Sequence, residues 1–348
     1  MEQRMDIAES DQAILKRLLV GREKYLLSFR NCGLGDNLFA LAHGWLYCKK
    51  AGRSLIIDHA QSRYMDDPQV NSAHVLYEFP AEMDGVRIHS FPRLTWGMRR
   101  VLSSHRWAQH LYLISPRLYY LYRTIRHRWL KFLPDALHEI DLSYEEELLL
   151  VRTGEDPASR FIRFQGCHCH FTGEIRGFLR SIRPSLGIEC EISSFLRDVP
   201  SRFVGVHVRY YSPQWVEFRH GDYWHDFGKA IAEIAALINE AIKGVSSYSG
   251  ILLCTNSDLV ERALRDIFPQ IQTIPKDFGT DPTLELQDQH IADCGKHAVM
   301  EMFSLCRATA LVRYPPTQSW FSELAALHVG CVSEPSSTSG ANLHPEAL

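Results

Sequence analysis

Two rhythms of apolar and polar positions run along this chain. Tyr25-Leu26-Leu27-Ser28-Phe29-Arg30 is a short, mostly apolar run, which predicts a buried strand. It leads directly into Asn31-Cys32-Gly33-Leu34-Gly35-Asp36-Asn37. From Leu38 to Lys50 the apolar positions recur at helical spacing, and Gly52 provides the stop. Ser54-Leu55-Ile56-Ile57-Asp58 is a second buried strand. Strand, glycine turn, helix and strand make a βαβ unit, and such a unit needs a parallel sheet. The second half repeats the grammar. Strands are predicted at Phe203–Arg209, Ile251–Thr255, Thr273–Pro275 and Ala310–Tyr314. Helices are predicted at Trp224–Lys243, about Ser257–Phe268 and Ala298–Arg307.

The pattern gives an α/β fold of two Rossmann-like domains facing a cleft. Residues 1–22 read as an amphipathic helix or loose leader, 23–200 as one α/β domain, 201–334 as the second and 335–348 as a mobile tail. The hinge is expected near Arg183-Pro184 or Val199-Pro200. A chain of 348 residues with 45% hydrophobic composition builds such cores without disulfides or metals. Its net charge of −3 offers no general attraction to nucleic acid. The nine cysteines are odd in number and form no disulfide framework; Cys48, Cys254 and Cys306 read as buried thiols. The first residues carry acids and no continuous apolar core, so they are not a secretory signal. No run is apolar enough to span a membrane, and the expected location is cytoplasmic.

The candidate chemistry lies at the ends of predicted strands. Gly33 and Gly35 open a helix whose free N–H groups suit a phosphate, although Asp36 or Asn37 as a simple N-cap accounts for the same residues. His207 and Arg209, two apart on a strand, project to one face at its C-terminal end, where α/β sheets bind ligands. An arginine there grips a diphosphate and stabilises it as a leaving group; the plainer alternative is pairing with local carboxylates. The loop that follows is polar and aromatic, and Glu217, His220 and Asp222 are its candidate bases for a sugar hydroxyl. Ser257 or Asp258 is a natural N-cap. Tyr314-Pro315-Pro316-Thr317-Gln318-Ser319 stops a strand before a helix and offers free N–H groups and hydroxyls to a phosphate.

Two other segments attract notice. Cys167-His168-Cys169-His170 packs four metal-ligand types together, but on a strand they alternate between faces and cannot converge on one ion, so no metal site is assigned. Residues 93–131 hold nine Lys or Arg, three His, several Trp and Tyr, and no acid. Such a block suits an anionic membrane surface; an inserted helix whose cations find acids elsewhere is the alternative.

Gly33-Leu34-Gly35-Asp36, Ala51-Gly52-Arg53-Ser54-Leu55-Ile56-Ile57-Asp58, Ser181-Ile182-Arg183-Pro184, Gly205-Val206-His207-Val208-Arg209, Leu253-Cys254-Thr255-Asn256-Ser257 and Arg313-Tyr314-Pro315-Pro316-Thr317 occur in one order over roughly residues 25–333. In this the chain resembles the bacterial α-1,6-fucosyltransferases, and most closely their rhizobial nodulation branch. The resemblance implies a GT-B-like fold, with the first domain on the acceptor side and the second binding a GDP-sugar. It implies GDP-β-L-fucose as donor, inversion, no cofactor or required metal, and a GlcNAc acceptor in a chito-oligosaccharide or lipo-chito-oligosaccharide. By the same resemblance Arg209 binds the donor diphosphate and His207 lies near the guanosine. Glu301 reads the guanine edge, Thr317, Gln318 and Ser319 hold phosphates, and Glu217 takes the place of a catalytic base. Animal members follow the arginine with a second basic residue, where this chain has Tyr210. A fucosyltransferase of surface polysaccharide and a non-catalytic GDP-sugar-binding protein are the competing expectations; a metal-binding or nucleic-acid-binding protein fits the sequence less well.

Overall fold

The computed structural model describes residues 11–29, 33–59, 64–65, 67, 70–92, 114–115, 117–118, 121, 143–166, 172–210, 221–246, 250–279, 293–316 and 319–329. The chain divides into two compact units. The first is Met1–Cys190 with Leu286–Val299, and the second is Glu191–Glu285 with Met300–Leu348.

In the first unit, β1 (Tyr25–Phe29) lies between β2 (Ser54–Asp58) and β6 (Phe161–Phe164), both parallel to it. β5 (Val86–Ser90) adds in parallel beyond β2, and β4 (Glu82–Met83) returns antiparallel on its edge, giving the order β4-β5-β2-β1-β6. β3 (Tyr77–Glu78) and β7 (Arg183–Pro184) form a separate antiparallel pair.

The helix after β1 spans Leu34–Ala51 and stops at Gly52, whose φ of 67° is the left-handed cap that a glycine adopts at little cost. It starts a turn earlier than the apolar rhythm predicts. Leu34 is buried and Gly33 is the N-cap, so Asp36 and Asn37 fall inside the first turn rather than at the cap. Arg53, fully buried beneath it, ties the sheet's lower edge together. Its guanidinium donates to Asp156 Oδ1 (2.7 Å) and to the carbonyls of Tyr25, Pro157, Ser159 and Arg160. Close contact also occurs where the chain returns to this unit. A Cβ on Gly295 would stand 2.8 Å from Tyr64 Cβ, so only glycine fits there.

In the second unit, β8 (Phe203–Val208), β9 (Gly250–Thr255), β10 (Ile271–Gln272) and β11 (Ala310–Tyr314) form a wholly parallel sheet in the order β10-β9-β8-β11. Both faces are covered, which is why β8 and β9 read as continuous apolar runs. Val204, Val206 and Val208 meet Ile231, Ile234 and Ile238 of the helix Phe227–Gly244, with Val260 and Leu264 of the helix Asp258–Ile267. The opposite face carries Phe203, Leu252 and Cys254 against Leu305, Ala308 and Ala325. Gly205 allows this second layer to come close, because a Cβ there would be 2.9 Å from both Ala308 Cβ and Leu305 Cδ2.

Three predicted elements shift. The helix expected from Trp224 is a short helix Gly221–Trp224 followed by Phe227–Gly244, whose N-cap Asp226 accepts from Lys229 N at 2.9 Å. The helix expected from Ala298 begins at Cys294 and ends at Leu305. The strand expected at Thr273–Pro275 pairs instead at Ile271–Gln272. Pro275 has no N–H to offer a ladder, and the Thr273 hydroxyl is engaged by Arg265 and Glu261. Cys48 and Cys254 are free and buried, whereas Cys306 is only half-buried.

Candidate active site

When only the parallel strands of each sheet are counted, leaving out the antiparallel edge strand β4, both sheets share one order: third, second, first, fourth. The first and fourth strands are neighbours whose connections leave in opposite directions. Beyond their C-terminal ends lies the switch point at which open α/β sheets bind ligands. In the second unit those strands are β8 and β11, and there His207 stands in register with Arg313 on one side and Cys254 on the other.

His207 is buried, and its ring stacks on Phe321 with centroids 5.0 Å apart. Burial, followed by the positive charges of Arg209, Lys276 and Arg313, holds its pKa down to about 3. The imidazole is therefore neutral, and three cations surround it. Arg209 stands one residue past the strand, and its backbone is fixed from two sides. Its N–H donates to Tyr314 O (2.8 Å), and its carbonyl accepts from Trp224 Nε1 (3.2 Å). Asn256 fastens the next residue doubly, accepting from Tyr210 N and donating to Tyr210 O, both at 2.8 Å. Arg313 pairs with Glu323, and Lys276 with Glu301. Burial pushes the Glu301 carboxyl up, against the pull of Lys276.

Phe321 belongs to the first turn of the helix Trp320–His328, so the start of that helix adjoins His207. Ser319 is its N-cap. The Ser319 carbonyl accepts from Glu323 N, but its hydroxyl makes no capping bond. The helix start thus carries the partial positive charge that favours a phosphate.

Of the residues singled out in the sequence, His207, Arg209, Glu301 and Ser319 fall in the second unit and Gly33 and Gly35 in the first. Gly33 caps the Leu34–Ala51 helix and Gly35 is buried in its first turn. Ser257 is the N-cap of the Asp258–Ile267 helix. Asp222 falls in the short helix Gly221–Trp224. Glu217, His220, Thr317, Gln318, the Cys167–His170 run, the tail from 335 onward and all but five residues of 93–131 lie outside the described residues. Among the described residues no three His, Cys, Asp or Glu side chains come together as a metal site would need. The sequence reading missed Lys276, Arg313 and Asn256. Arg313 carries a signal of its own, a lone cation inside the apolar strand Ala-Leu-Val-Arg-Tyr. Lys276 and Asn256 carry none, because their partners are remote in sequence.

Two α/β units whose parallel strands share one order, the second with Arg209, Arg313 and Lys276 about His207 at its switch point, constitute a GT-B-like fold. A family model described as Nodulation protein Z (NodZ) matches residues 22–105 and 165–341, and the chain belongs to that family. Nodulation protein Z of Bradyrhizobium diazoefficiens is 28% identical over 331 residues, covering 90% of this chain and 81% of the relative. That of Sinorhizobium fredii is 28% identical over 323 residues, covering 89% and 92%. The crystal structure of NodZ α-1,6-fucosyltransferase soaked with GDP-fucose superposes with a TM-score of 0.62 at 24% identity, covering 88% of this chain and 93% of that one.

Proposed function

We propose that this chain transfers L-fucose from GDP-β-L-fucose, with inversion, to the 6-hydroxyl of a GlcNAc in a chito-oligosaccharide or lipo-chito-oligosaccharide acceptor. Family membership and the donor soaked into the related NodZ structure support the donor and the reaction class. The observation that carries the reading is the set of three cations, Arg209, Arg313 and Lys276, around a neutral histidine at the switch point.

In this reading the acceptor oxygen attacks the anomeric carbon as the bond from that carbon to the diphosphate oxygen breaks. Glu217 takes the hydroxyl proton. Negative charge grows on the departing GDP, and Arg209, held by its backbone anchors, stabilises it. Thr317, Gln318 and Ser319 hold phosphate oxygens at the helix start. His207 lies against the guanosine and Glu301 at the base edge; Gly33 and Gly35, at a helix start of the first unit, are candidates for holding a phosphate in their own right. Arg209 supplies the charge that a divalent metal supplies elsewhere, so the reading needs no metal.

Labelled fucose should therefore pass from GDP-fucose to chitotetraose in the presence of EDTA. Arg209→Ala should keep its fold and lose about 10²–10³ in kcat. A folded Arg209→Ala variant with unchanged kcat removes the assigned role. Donor binding without product on any GlcNAc oligosaccharide moves the search to surface polysaccharides or to a binding-only protein.

The reading extends to a membrane surface. The matched segments of the family model leave out residues 106–164, which include most of the basic block. Within that block Ile114, Leu118 and Leu121 are exposed beside exposed Arg117. Apolar and cationic side chains together suit peripheral docking on anionic lipid by a cytoplasmic enzyme. Among the described residues no helix is long and apolar enough to cross a membrane. Co-sedimentation with vesicles should rise with their phosphatidylglycerol content; binding indifferent to that content refutes the docking.

A further inference from the structure

Glu301 is the only buried acid of the second unit among the described residues. Lys276, on the segment after β10, reaches it from remote sequence. Its Nζ donates to Glu301 Oε1 and to the carbonyl of Thr255, the last residue of β9. The Lys276 side chain is only 6% exposed, and its ammonium also lies 5.1 Å from the centroid of the Phe278 ring. A buried ion pair of this kind contributes little net stability, because desolvation offsets the attraction. Its position is more informative. It sits at the C-terminal end of β9, and the Lys276 charge also reaches His207 on β8. Glu301 Oε2 accepts no hydrogen bond among the described residues.

The purine edges differ at the atoms such an oxygen meets. Guanine presents two adjacent donors, N1–H and the 2-amino group, whereas adenine presents an acceptor at N1 and no amino group at C2. An ionised carboxylate accepts from guanine; a protonated one carries a donor of its own and loses the distinction. We infer that Lys276 is a positioning residue for base recognition: bound to Glu301 Oε1, it keeps that carboxylate an acceptor and leaves Oε2 to the N–H edge of guanine. The inference rests on the GDP-sugar reading above.

The groups facing Glu301 define the expected pH behaviour. Besides Lys276 they are Glu261, on the helix Asp258–Ile267, and Cys254 on β9. Glu261 and burial push the Glu301 carboxyl up, and Lys276 opposes them. Burial keeps the Cys254 thiol protonated. Without the ammonium, Glu301 holds its proton to higher pH.

The test is calorimetric titration of the full chain with GDP and with ADP between pH 6 and 9, using the wild type, Lys276→Met, Lys276→Arg and Glu301→Gln. The expected result for Lys276→Met is GDP affinity reduced by about tenfold near pH 6 and recovering as the pH rises, with weak ADP binding unchanged. Lys276→Arg should restore much of the preference. A folded Lys276→Met protein with the wild-type GDP-to-ADP ratio overturns the inference, and so does a loss equal at every pH. Should Lys276→Met fail to fold, Glu301→Gln carries the test. It should lose guanine preference at all pH, and retention of that preference overturns the inference. A wild type that binds GDP and transfers fucose, alongside an unaltered Lys276→Met, refutes only the role of Lys276. A wild type that does not bind GDP refutes the donor reading as well.

Discussion

His207 illustrates how one side chain couples folding to the site. Its ordinary pKa of 6.5 falls to about 3 in the fold, because burial and three nearby cations disfavour the imidazolium. Between those values the unfolded chain binds a proton that the folded chain refuses. Its contribution to stability is therefore complete above about pH 6.5 and declines as pH falls toward 3. His59 adds the same sign in the first unit, with its pKa lowered by burial to about 4. Denaturant midpoints of wild type and His207→Asn should converge as pH is lowered from 7 to 4.5. Parallel curves would show that the histidine is not held neutral. At this scale the sequence was only partly legible. His207 and Arg209 announce themselves as neighbours on one strand. Lys276 and Arg313 reach the same place from segments some 70 and 100 residues away, and only the folded sheet brings them together.

Among the elements, the parallel strands were readable because strands buried on both faces must be apolar throughout, and turns must interrupt them. Their ends were less readable. β10 stops at Gln272, and the Thr273 hydroxyl just beyond it is held by Arg265 and Glu261, a tertiary arrangement that leaves no trace in local propensity. Close approach between layers is also tertiary. Gly205 reads as one more small residue in an apolar strand, yet its missing side chain lets the end of the Cys294–Leu305 helix settle against β8. Gly205→Ala should destabilise the protein by about 1–3 kcal/mol, since two neighbours would stand too close to the new methyl. Thermal unfolding checks this, and a variant as stable as wild type would mean that the layer yields freely. The same shift would displace His207, two residues on, so the donor KM should rise with it.

At the scale of the whole molecule, two units whose parallel strands share one order divide the chain unequally between them. The helix Cys294–Leu305 begins in the first unit and ends in the second, and residues 286–299 belong with a body whose other residues end at 190. No periodicity reveals this, because the helical rhythm runs unbroken across the change of unit. The returning stretch is fitted closely to its place, where Gly295 sits against Tyr64 with no room for a side chain. This bears on how members of the family can be recombined. A hybrid made with one crossover near residue 190 would carry the 286–299 stretch of one parent against the body of the other. A hybrid that respects the units needs three crossovers, near 190, 285 and 299, so inherited exchange of donor and acceptor specificity between relatives would have to move a short internal cassette together with the N-terminal half.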